Sequence, residues 1–155
     1  MKILIDADAL PVIAKELIIK TANRTQTMAV FVANRMTKLP PSPFLSYVVV
    51  GAGFDVADEY ILQTAQPNDL VITSDIPLAN DVLEKGAKVL TARGEEFSKD
   101  NIKPRLNVRD FMESLRGTGV LDPKSMGGQK PYSNKDKIAF AGGLNRLVKP
   151  QNLSQ

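Results

Sequence analysis

The chain has 155 residues, 43% of them apolar, and a formal net charge of +3, which suits one domain with one real core and leaves no stretch near the ~20 apolar residues of a membrane span. It contains no Cys, His or Trp, which excludes disulfides, thiolate nucleophiles, the usual structural zinc sites and imidazole as general base or ligand. Chemistry must then rest on carboxylates, Lys, Tyr or a metal-bound water, and an all-carboxylate site favours the hard cations Mg²⁺ or Mn²⁺.

Charge is unevenly placed. Residues 1–98 hold nine Lys/Arg against twelve Asp/Glu, and residues 99–155 hold eleven against five. An acidic body with a basic final third suits a metal site that also holds a polyanion, and equally suits an ordinary solvated surface. No basic and apolar leader precedes the first strand, so a cytoplasmic location is expected.

Ile3-Leu4-Ile5 reads as a short buried strand that runs into Asp6 and Asp8, with Pro11 in the first turn of the helix that follows. A plainer reading makes Asp8 a helix cap and Asp6 a solvated strand end. Helical spacing of Val12, Ile13, Leu17, Ile18 and Ala22 predicts a helix over residues 11–24, and residues 28–33 form a second buried strand ending at Asn34 and Arg35. Three prolines between residues 38 and 44 exclude helix or central strand there and leave a stiff loop.

Residues 47–50 are the third strand, closed by the permissive Gly51-Ala52-Gly53. Asp55 opens a helix with Val56, Tyr60, Ile61 and Ala65 on one face; its acids, Asp58 and Glu59 included, also suit the helix dipole with no chemistry implied. Residues 69–73 are strand four, and Ser74-Asp75-Ile76-Pro77 leads into a helix that Gly86 ends. Residues 88–90 are strand five, with Arg93 beyond it. A helix is expected over 107–116 and a last one over 133–148, weakened by Gly142-Gly143.

Strands and helices that alternate over short links predict an α/β fold: a three-layer α/β/α sandwich around a mostly parallel sheet of about five strands, with C-terminal helices. The expected organisation is a single domain: an α/β unit over residues 1–116, a flexible loop over 117–134, and a C-terminal helix over 135–148 packed on or near it. Parallel strands deliver their carboxyl ends to one rim, where Asp6, Asp8, Asn34, residues 51–58, Asp75 and Arg93 should meet. Carboxylates converging there repel one another unless protons or a cation neutralise them. The chemistry this suits is in-line displacement at a phosphodiester.

The strings Ile5-Asp6-Ala7-Asp8-Ala9-Leu10-Pro11, Gly53-Phe54-Asp55-Val56-Ala57-Asp58, Asp69 through Ala79, and Arg109-Asp110-Phe111-Met112 resemble, in register and from residue 2 to about 148, the YaiI/YqxD family. That family is in turn similar to the PIN-like nuclease superfamily, built around a metal-binding set of acids. The resemblance implies Asp6 as the acid after strand one, Asp55 or Asp58 as the acid at the start of the central helix, and Asp75 as the acid after strand four. Asp8 would be a further ligand or orienting group. Where the family usually has Cys before the proline this chain has Leu10, which excludes any thiol role.

The expectation is a Mg²⁺- or Mn²⁺-dependent nuclease, acting on RNA rather than DNA by superfamily habit, with Asp6, Asp8 and Asp75 catalytic and Asp6, Asp55, Asp58 and Asp75 on the metal. Asn34, Ser74, Arg93 and Arg109 are the candidate substrate-binding residues. One alternative is a haloacid-dehalogenase-type phosphatase, with Asp6 as nucleophile, Asp8 as acid/base, Thr73 or Ser74 on the phosphate, Lys85 as cation, and Asp75 with Asp81 on the metal. Its lysine should precede the late acidic pair, whereas Lys85 follows both. Another alternative is a non-catalytic nucleic-acid-binding module on the same fold.

Overall fold

The computed structural model describes residues 1–53, 55–106 and 130–150. Its strands are β1 (Lys2–Asp6), β2 (Met28–Ala33), β3 (Leu45–Val49), β4 (Leu70–Ile72), β5 (Lys88–Leu90) and β6 (Glu96–Phe97). Its helices are α1 (Val12–Thr25), α2 (Val56–Thr64), α3 (Ile76–Glu84), a helical stretch over residues 99–106 (α4), and α5 (Asn134–Leu147). The expected helix over 107–116 and most of the expected loop, residues 117–129, lie outside the described residues. No helix among the described residues is long and apolar enough to cross a membrane.

The six strands form one sheet in the order β3-β2-β1-β4-β5-β6, all parallel except β6, which runs antiparallel to β5. The sheet therefore has one strand more than the sequence predicts. Glu96-Phe97 is two residues long, too short for alternation to register, and its turn is closed by Gly94 at φ 92°, a left-handed conformation that suits Gly.

Alternation along the buried strands sorts the core into two layers. Ile3 and Ile5 of β1 pack with Phe31, Ile72 and Leu90 under α1 and α5; Leu4 points the other way, with Val32, Val71 and Val89, under α2 and α3. Ile102 of α4 is fully buried in the second layer. Ser98 and Asn101 exchange backbone-to-side-chain hydrogen bonds that cap the start of α4. Burying both faces explains why the strands read as continuous apolar runs.

The amino edge of the sheet is fastened by Asp69, 4% exposed. It accepts from the Lys2 amide (3.0 Å), the Lys2 ammonium (2.6 Å) and the Gln66 amide (3.0 Å). Asp69 sits just outside β4 and serves the joint between β1 and β4.

Gly142 and Gly143 do not interrupt α5, which runs unbroken from a Ser133–Asp136 capping box to Leu147. Gly143 is there because α5 lies against β5: a Cβ would come within 2.8 Å of Leu90 Cδ1, and Leu90 is fully buried. Gly142 has open space around it. Gly143→Ala is therefore expected to cost about 1–2 kcal/mol by overpacking, whereas Gly142→Ala gains about 0.5–1 kcal/mol of helix propensity. Urea unfolding of the two variants checks this; equal midpoints, or midpoints in the reverse order, would contradict the assigned packing.

Candidate functional site

The order 3-2-1-4-5 reverses between β1 and β4, and the carboxyl ends of these two neighbours form the crevice where open α/β sheets hold ligands. Asp6 is the last residue of β1, and Thr73-Ser74-Asp75 follows β4. In register, Ile5 lies beside Ile72, so Asp6 and Thr73 come out side by side. The Thr73 hydroxyl donates to Asp6 Oδ2 at 3.1 Å and accepts the Asp75 amide at 3.0 Å. One buried hydroxyl thus ties the end of β1 to the start of α3.

Asp75 is the N-cap of α3: its Oδ1 accepts the Leu78 amide at 2.9 Å, and Ile76-Pro77 opens the helix with a proline that needs no donor. The third acid comes from the opposite layer. Asp58, in the first turn of α2, comes close enough to Asp75 for the two carboxyls to act on each other.

Electrostatics follow from this crowding. Burial, then the charges of Asp75 and Asp6, push the Asp58 carboxyl up to about 7, with Asp55 adding a little. Burial chiefly raises Asp6 as well, opposed by the Thr73 hydroxyl and reinforced by Asp75 and Asp8. Asp6, Asp58 and Asp75 are therefore an electrostatically coupled trio drawn from β1, α2 and α3. Among the described residues, no three acids close on a single point as ready-made ligands.

The remaining expected residues take other positions. Asp8 is exposed and does not cap α1, whose N-cap is Pro11 with no side-chain cap; it accepts the Asn34 amide at 3.0 Å, pinning the ends of β1 and β2 together. Asn34 contributes that backbone N–H and stands exposed. Asp55, exposed and left-handed at φ 68°, precedes α2 without capping it and lines a separate cleft of about 240 Å³ with Asp58, Glu59 and Asp81. Ser74 is exposed and forms the wall between a pocket of about 50 Å³ holding Asp6 and a cleft of about 280 Å³ bordered by Arg93, Arg105 and Tyr132.

Arg93 is already engaged. It pairs with Asp136 at 2.7 Å, donates to the Lys130 carbonyl, and lies over the Tyr132 ring at 5.8 Å, so it fastens the start of α5 to the β5–β6 turn. Asp136 is held below its usual range chiefly by the Ser133 amide, with the Ser133 hydroxyl and Arg93 adding. Arg109 lies outside the described residues. Lys85 donates to the Leu62 and Gln63 carbonyls at the carboxyl end of α2. That is one helix length from Asp75, about 13 Å at ~1.5 Å per residue for nine residues, with the ammonium committed to those carbonyls.

Reading the residues alone misses Thr73 as the link between Asp6 and Asp75. The signal is present in Thr73-Ser74-Asp75: a hydroxyl two residues before an N-cap acid at the end of a buried strand.

The profile of the family described as uncharacterised BCR, YaiI/YqxD, matches residues 4–150. The chain belongs to the YaiI/YqxD family. A UPF0178 protein of Psychrobacter cryohalolentis is 62% identical over 149 residues, covering 96% of this chain and 100% of the relative. UPF0178 proteins of Shewanella baltica (51% over 147 residues, 95% of each chain) and Colwellia psychrerythraea (48% over 148 residues, 96% and 95%) are similar throughout. No solved structure matches the chain. The YaiI/YqxD resemblance read from the four motifs is thus met across the full α/β domain.

A carboxyl whose pKa is higher folded than unfolded binds its proton more tightly in the native state. Its contribution to stability is present below the unfolded value near 4 and is lost as pH rises through about 7. Asp58→Asn removes the charge at nearly constant size. In chelator at pH 8 the variant is expected to melt about 2–4 °C above wild type, on the order of 1 kcal/mol after allowing for the solvent exposure of Asp58, and to match it at pH 4. Identical melting temperatures at pH 8 would show that Asp58 is not strained.

Proposed function

We propose that this YaiI/YqxD protein is a Mg²⁺- or Mn²⁺-dependent nuclease that hydrolyses phosphodiester bonds at the Asp6–Asp58–Asp75 trio. The observation that carries the reading is the convergence itself: acids from β1, α2 and α3 meet at the sheet's switch point, where burial first and then their neighbouring charges raise Asp6 and Asp58. Three structurally separate elements supply them, so helix capping alone does not account for the cluster.

The donors fit a hard cation. All are carboxylate oxygens in a chain without His or Cys, and Mg²⁺ takes one or two carboxylates while keeping several waters, so a closed three-acid cage is not required. Asp58 and Asp75 would hold the ion, with Asp6 as the neighbouring ligand or water acceptor. When bound, the ion supplies charge neutralisation at the scissile phosphate and a more acidic water.

The chain's own groups do the rest. Thr73 orients Asp6 through its hydroxyl, and the α3 N-cap bond fixes Asp75, so neither acid must reorganise on binding. Asp58, whose carboxyl is raised by burial and by its acidic neighbours, would exchange its proton for the cation if one were bound. The Ser74 hydroxyl, exposed at the mouth of the Asp6 pocket, stands where it can donate to a phosphate oxygen. The PIN-like resemblance, which has acids at these three positions, favours nucleic acid as substrate and RNA over DNA.

Calorimetric titration with Mn²⁺, followed by cleavage of labelled single strands, tests this reading. Wild type is expected to bind Mn²⁺ and cut RNA while leaving p-nitrophenyl phosphate untouched, and Asp6→Asn and Asp75→Asn to lose ~10–100-fold in Mn²⁺ affinity together with cleavage. Unchanged affinity in both variants would remove the metal site. RNA bound but not cut by a Mn²⁺-loaded wild type would favour the non-catalytic module.

A further inference from the structure

Beyond the carboxyl ends of β1, β2 and β3, on the α1 side, lies a cleft of about 260 Å³ lined in part by Asp8, Leu10, Lys15, Arg35, Thr37 and Tyr47. Leu10 also lines the pocket that holds Asp6, so the two share a wall. The cleft is therefore the neighbour of the acidic trio along the same rim.

Its cations are unusual for this molecule. Arg24, Arg93, Arg105 and Arg146 are each tied to a side chain, respectively Asn145, Asp136, Glu95 and Glu96. Among the described residues, Arg35 is the arginine with no hydrogen bond or ion pair, although it stands exposed beside Asp8 in this cleft. Lys15 is held in place by donating to Thr37 Oγ1 at 2.6 Å and to the Lys38 carbonyl at 2.8 Å, which leaves one ammonium N–H unused. The aromatic wall is equally fixed: Tyr47 stacks on Phe31 with centroids 6.1 Å apart and shares a 3.2 Å hydrogen bond with Thr37 Oγ1.

We propose that this cleft is a subsite for one nucleotide of a single-stranded nucleic acid lying across the carboxylate rim. Arg35 and Lys15 take a backbone phosphate next to the scissile one, and Tyr47 offers its wall to the sugar or base. Asp8, anchored by the Asn34 amide, keeps acceptor capacity for a ribose hydroxyl or base N–H. A rigid aromatic beside positive side chains is the pairing that single-strand sites use. The inference rests on the nuclease reading for its orientation, and its test omits metal so that the two can fail separately.

The probe is a fluorescein-labelled single-stranded RNA of mixed sequence, with binding followed by anisotropy in EDTA over a range of NaCl. Wild type is expected to bind, Arg35→Ala to bind roughly tenfold more weakly at low salt, and the slope of log K against log salt to flatten by about 0.7, the loss of one phosphate contact on a single strand. Lys88→Ala, at the opposite edge of the sheet, should change neither, and Asp6→Asn should bind at least as well as wild type. No binding by wild type, an Arg35→Ala curve that overlays wild type, or a duplex bound as tightly as the single strand would overturn the subsite. Any of these leaves the Mn²⁺ titration to decide the metal site on its own.

Discussion

Mutual repulsion among Asp6, Asp58 and Asp75 is the constraint around which the carboxyl rim is built. Two like charges 4 Å apart at the protein surface oppose each other by about 4 kcal/mol at an effective dielectric near 20, a cost no stable fold accepts without a reason. The chain holds the acids there with three devices of ordinary strength. Parallel pairing of β1 and β4 sets Asp6 beside Thr73. The Thr73 hydroxyl bridges Asp6 to the Asp75 amide. The N-cap bond of α3 then fixes Asp75, which Asp58 approaches from α2.

The same molecule shows how a buried acid looks when it serves the fold alone. Asp69, at the amino edge between the same two strands, is answered by the Lys2 ammonium and two amides and meets no other acid. At the carboxyl edge, among the described residues, no cation pairs with Asp6, Asp58 or Asp75; the arginine nearest to them in chain order after β5, Arg93, is turned to Asp136 instead. One end of the β1–β4 seam is neutralised by the protein itself, and the other is left for protons or a ligand.

Much of the fold was legible because both sheet faces are covered. Ile3-Leu4-Ile5, Met28 through Ala33 and Leu70-Val71-Ile72 are apolar without a break, and Pro11, Pro77 and Gly86 punctuate the helices between them. From that pattern the parallel sheet and its rim follow, and with them Asp6 and Asp75. What stayed hidden was set by contact rather than by period. Glu96-Phe97 becomes a strand only because β5 is free on that side, and α4 holds through a local Ser98–Asn101 cap and one buried Ile102. Gly142-Gly143 looked like a weak point until β5 supplied the reason for Gly143. The choice between Asp55 and Asp58, the role of Asp8 as a strand tie, and the commitment of Arg93 to α5 all depend on which side chains the turns bring together.

Site-resolved carboxyl titration by ¹³C NMR, in chelator and then in Mg²⁺, tests the central claim most directly. In chelator an aspartate carboxyl, assigned to Asp58 by its loss in Asp58→Asn, should titrate near 7. Saturating Mg²⁺ should drive that transition down into or below the ordinary carboxylate range, because the cation takes the place of the proton on Asp58. Every aspartate titrating between about 3 and 5 in chelator, with no response to Mg²⁺, would contradict it.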